Sequence, residues 1–105
     1  MDYDEKQELL LLAAKSVSDE VVIRDGIPQI NNWEGRFIDW DPIDCDSDAF
    51  WLLVKLNLQV SCYPTRTSVV TLCDNIYCED AGEDRYAATR MAIVKAAAGL
   101  AAKRR

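Results

Sequence analysis

The chain has 105 residues, 50% of them hydrophobic and 29% charged, with four glycines and three prolines. That composition suits one globular domain over 1–105, whose folding hides about two-thirds of the extended chain's surface, and it excludes fibrous, disordered and low-complexity classes. The net charge of −6, from 18 acidic against 12 basic side chains, repels a phosphate backbone, so direct binding to duplex nucleic acid is not expected.

The opening Met1-Asp2-Tyr3-Asp4-Glu5 is acidic where a secretory signal needs a basic start, so the expected location is the cytoplasm, in this reading that of a host cell. A short amphipathic helix follows over about 4–16, with Leu9, Leu12 and Ala13 on one face. Its apolar run, Leu9 to Ala14, is far below the roughly 20 residues that cross a bilayer, and no membrane partner is expected. The β-branched segment 20–24 and the apolar segment 36–40 read as strands, the first ended by Asp25-Gly26.

Asp41-Pro42 turns the chain. A second helix starts near Asp46 or Ser47, either of which could cap it, and presents Ala49, Leu52, Leu53 and Leu56 at helical spacing. Leu58, Val60 and Cys62 then alternate with polar neighbours as the inward face of a strand. Pro64-Thr65-Arg66-Thr67 turns into a returning strand over 68–73, and Asp74-Asn75 turns again into a last strand over 76–79. A long helix closes the pattern over about 84–103, with Ala87, Met91, Val94, Ala98 and Ala101 in a stripe flanked by Ile93, Ala97 and Leu100. So many alanines imply close backbone approach. The basic Lys103-Arg104-Arg105 reads as a solvated helix terminus. The order α-β-β-α-β-β-β-α predicts an α+β fold: an antiparallel sheet of four to five strands packed by three helices.

The chemistry is sparse. The chain contains no histidine, so His-based triads are excluded and a base active near neutral pH would need a strongly shifted carboxyl, amine or thiol. Phosphate-cradling glycine loops and the His-Glu-x-x-His zinc motif are not found in the sequence. Cys45, Cys62, Cys73 and Cys78 form no Cys-x-x-Cys pair; disulfides are not expected in a reducing compartment. Cys62 and Cys73 read as small hydrophobes of strands. No catalytic residue, cofactor or metal is assigned.

Two constellations remain as candidate contact residues. Asp39, Asp41, Asp44, Asp46 and Asp48 place five carboxylates in ten residues. The spacing of Asp44, Asp46 and Asp48 imitates the start of a calcium loop, but Ala49 stands where glycine should follow and Lys55 where the bidentate acid belongs. The simpler reading makes Asp46 or Ser47 a helix cap, Asp48 a dipole partner and the other acids turn residues. Trp33, Phe37, Trp40, Phe50 and Trp51 lie within nineteen residues, more aromatic surface than a small domain buries easily, and an exposed aromatic cluster rimmed by acids fits a contact face. The binding candidates are therefore Trp33, Phe37, Trp40, Asp41, Asp44, Asp46 and Asp48.

Two stretches carry a resemblance: Trp40-Asp41-Pro42 through Asp46-Ser47-Asp48-Ala49 to Val54-Lys55-Leu56, and Tyr86-Ala87-Ala88-Thr89-Arg90 through Ala92-Ile93-Val94 to Ala96-Ala97-Ala98, with an early helix ending in Ala13-Ala14-Lys15. The chain resembles a set of small phage and prophage accessory proteins related in pattern to the phage ABA-sandwich domain. It has Asp41 where that family usually has Asn and Ser47 where it usually has Gly. The resemblance implies a phage or prophage origin and an α/β sandwich, and the family carries no established reaction. Tyr86, Thr89 and Arg90 are expected to be structural, the first two fixing the first turn of the last helix and Arg90 pairing with an acid of the Asp-rich segment.

The function expected from these features is a non-catalytic accessory protein that binds a host protein, such as a component of a defence system of the CRISPR type, with self-association into a homodimer as a further partner class. Acidity without catalytic groups motivates it. The alternative is a small-ligand sponge for a nucleotide signal, with Trp33 and Trp40 stacking a base and Arg36 or Arg90 meeting phosphate. Third comes a metal-assisted hydrolase built on the Asp-rich loop.

Overall fold

The computed structural model describes residues 3–17, 21–24, 27–31, 37–71, 75–80 and 82–103. In chain order these form α1 (Tyr3–Lys15), β1 (Val21–Arg24), β2 (Ile27–Asn31), β3 (Phe37–Asp39), α2 (Asp46–Lys55), β4 (Gln59–Cys62), β5 (Arg66–Val70), β6 (Ile76–Asp80) and α3 (Arg85–Lys103). The class is α+β with three helices, but the strands differ from the expected single sheet of four to five. Six strands form two three-stranded antiparallel sheets, ordered β1-β2-β3 and β4-β5-β6.

The extra strand is β2, whose Pro28 lacks an amide for a ladder. The register explains its tolerance. Pro28 lies opposite Ile23 of β1, whereas β3 pairs only with Gln29, Ile30 and Asn31, so the proline sits where β2 has one neighbour instead of two. The returning strand β5 begins at Arg66, two residues before its expected start, because the hairpin closes tightly. The Tyr63 amide donates to the Arg66 carbonyl at 2.8 Å, leaving Pro64 at the second position of a four-residue turn, where its fixed φ is favourable.

Helix α3 is the centre of the molecule, packed by α1, by α2 and by β5 and β6. Ala92, Ile93, Val94, Ala96, Ala97, Ala98 and Ala101 are buried. A helix apolar on nearly every side needs neighbours on nearly every side, and the alanines let those neighbours approach. At Gly99 the approach is closer still. A Cβ there would overlap the Tyr77 hydroxyl and lie 2.7 Å from Cζ.

Helix α1 docks on α3 and also against β1 and β2. Its inward seam is Leu10, Ala13 and Ala14 with Leu9 and Val17 packed against them, so of the expected Leu9, Leu12 and Ala13 face, Leu10 and Ala14 take the place of Leu12; four consecutive leucines hide the phase. Asp84 caps α3 by accepting the Ala87 amide at 3.1 Å. Helix α2 ends in a Schellman motif: the Leu58 amide donates to the Leu53 carbonyl at 3.0 Å and the Asn57 amide to the Val54 carbonyl at 3.3 Å. Asn57 takes the left-handed conformation this requires, with φ 53°, and the chain leaves directly into β4.

In β5, Thr67 and Val69 are buried while their neighbours are more open, so β5 lays one face on α3. The alternation expected for β4 holds less well. Leu58 is buried and Val60 half-buried, but Cys62 is exposed, because β4 is an edge strand and its end runs past the core. No helix among the described residues is long and apolar enough to cross a membrane.

Candidate functional site

The Asp-rich segment between β3 and α2 is a brace. Asp41 Oδ1 accepts the amides of Ile43 at 3.1 Å and Asp44 at 3.3 Å, and its carbonyl accepts the Cys45 amide at 2.9 Å. Asp48 Oδ2 accepts the Asp41 amide at 2.9 Å. Asp39 Oδ1 accepts from Gln29 Nε2 at 2.6 Å, across the β2–β3 pair. Asp44 pairs with Lys6 of α1 at 2.5 Å, with Asp41 3.6 Å from the same ammonium. Asp46 pairs with Arg90 of α3 at 2.6 Å, and Arg90 Nε donates to the Ile43 carbonyl at 2.7 Å.

Each carboxylate therefore has an intramolecular partner, and the segment ties α1, α2 and α3 together. Among the described residues no three Cys, Asp or Glu side chains gather to hold a metal ion. The expected cap is corrected as well: Cys45 occupies the N-cap without a side-chain bond. Asp46 is drawn to Arg90, and Asp48 reaches back to hold Asp41 instead of an amide of its own helix. The Lys6 hydrogen bond is the main reason that the Asp44 carboxyl is held below its ordinary value of 3.8, against a smaller opposing effect of burial. The Asp44 hydrogen bond likewise raises Lys6 above 10.5.

The aromatic candidates separate. Trp40 is 1% exposed and belongs to the core with Pro42 and Ile43, which removes it from any contact face. Its Nε1 and Gln29 Oε1 are buried without a hydrogen-bond partner. A three-residue strand has too few positions for alternation to fix which face its following residue takes, so the sequence could not orient this indole. Phe37 pairs with Asn31 in the sheet register; Trp33 and Arg36 lie outside the described residues, as does Cys73. The nucleotide-stacking arrangement loses Trp40 to the core and Arg90 to Ile43 and Asp46.

What the fold leaves open is a groove between α2 and the first turns of α3, about 450 Å³ in volume. Leu53 and Ile93 form its apolar lining, and Phe50 of α2 and Tyr86 of α3 stand beside it, 64% and 73% exposed. Tyr86 is thus not the structural residue it was expected to be. Thr89 is: its hydroxyl donates to the Arg85 carbonyl at 2.9 Å and lies 3.1 Å from the Thr67 hydroxyl, joining α3 to β5.

The exposed Cys62 thiol approaches the same hydroxyl at 3.9 Å and faces the groove, so it is not the strand hydrophobe expected. Cys45, Cys62 and Cys78 are free thiols. Arg85 closes one end of the groove and donates from Nη2 to the Pro64 carbonyl at 3.1 Å. Arg66 stacks on Tyr63 in the adjoining turn, 5.2 Å from the ring centroid. The sequence signal for this site was α2 itself. Phe50, Leu53 and Val54 form a second apolar stripe at i, i+3 and i+4 beside the buried Ala49 and Leu52 and the half-buried Leu56, so the helix has more apolar surface than one packed face can use.

Comparison with known protein families, with characterised proteins and with solved structures finds no match.

Proposed function

We propose that the chain is a non-catalytic phage or prophage accessory protein that binds a host protein, and that the groove between α2 and α3 is its contact site. One observation carries this reading: Phe50 and Tyr86 are both more than half exposed beside a half-open apolar groove. Large aromatics left in water next to a concave apolar surface are the residue types that dominate binding energy once covered. The engagement of Asp39, Asp41, Asp44, Asp46 and Asp48 with partners inside the molecule supports the non-catalytic part, because a general acid or base needs a carboxyl free to meet substrate. The phage or prophage assignment, and with it a host defence component as the partner class, rests on the two motif stretches around Trp40-Asp41-Pro42 and Tyr86 to Arg90.

The test is a comparative pull-down from lysates of permissive and defended host strains, using the intact chain and a Phe50→Ser/Tyr86→Ser variant. A host protein retained by the first and lost by the second is the expected result. Recovery of the same proteins by both, or of none by either, overturns the reading.

A further inference from the structure

We draw no further inference here: the strongest candidate, the apolar groove between α2 and the first turns of α3 with the Cys62 thiol facing it, belongs to the contact site already described, and nothing in the structure shows what covers it.

Discussion

Arg90 and Asp46 stand 44 residues apart in the chain and 2.6 Å apart in space, and the same guanidinium donates to the Ile43 carbonyl at 2.7 Å. The two contacts differ in worth. Asp46 is largely exposed while Arg90 is mostly covered, so the ion pair itself contributes about 0–1 kcal/mol. The part-buried bond from a charged donor to Ile43 is worth about 1.5–3 kcal/mol. Arg90→Ala should therefore cost roughly 1.5–3 kcal/mol and Asp46→Asn less than about 1 kcal/mol, both read from urea denaturation midpoints at constant slope. Equal losses would mean that the ion pair, not the carbonyl contact, holds the segment.

Gly99 meets Tyr77 where a methyl group has no room. Replacing a helical glycine by alanine normally gains about 1 kcal/mol, but overpacking costs about 1–3 kcal/mol, and here the second effect wins. Gly99→Ala should destabilise the protein. In a Tyr77→Leu background, which removes the hydroxyl and Cζ, the same substitution should stabilise it. A double-mutant cycle measures the reversal; no change of sign would place the constraint elsewhere.

The Lys6–Asp44 pair makes a pH signature. Asp44 is depressed in the folded state, so its contribution is complete above the ordinary value of 3.8 and is lost as pH falls through the lower folded value. Lys6 is raised, so its contribution is complete below 10.5 and is lost as pH rises through the higher folded value. Both side chains are part-exposed, which limits the pair to at most about 1 kcal/mol. The stability difference between the intact chain and Lys6→Met should be constant across neutral pH, shrink in acid below the Asp44 range, and diminish in high salt. Guanidinium melts are unsuitable here because the denaturant screens the pair; urea at several pH values gives the readout.

Neighbouring residues on α2 should behave oppositely. Leu52 is fully buried, so Leu52→Ala should cost about 2–5 kcal/mol. Phe50, two positions earlier and mostly exposed, should tolerate alanine within about 0.5 kcal/mol. A large loss at Phe50 in thermal melts would show that it closes the core and does not serve contact.

Much of the helical framework was legible because each helix has its own punctuation: Asp4 and Glu5 opening α1, Asp41-Pro42 before α2, and Asp84 before α3. The link between Arg90 and the Asp-rich segment was legible too, since one cation one turn from Tyr86 faces five acids that need a counter-charge. The strands were less so. Pro28 disguised β2, because propensity cannot know that β3 stops short of the proline's partner position. Division into two sheets is a tertiary outcome with no local signal. The fate of the aromatics was the least legible: Trp40 and Tyr86 are both amphipathic enough for either environment, and only the path of the loop into α2 buries one and leaves the other in water.

The packing of α1 on α3 also bears on the order of events at the ribosome. Helix α1 is made before α3 and completes its apolar seam only against it, and at about 5–20 residues per second Leu10, Ala13 and Ala14 wait several seconds for that helix to exist. Until then the leucine run is a sticky nascent segment. Final assembly is therefore a late event that joins two helices far apart in the chain, and translation that pauses before α3 should yield chains that chaperones hold and proteases clear.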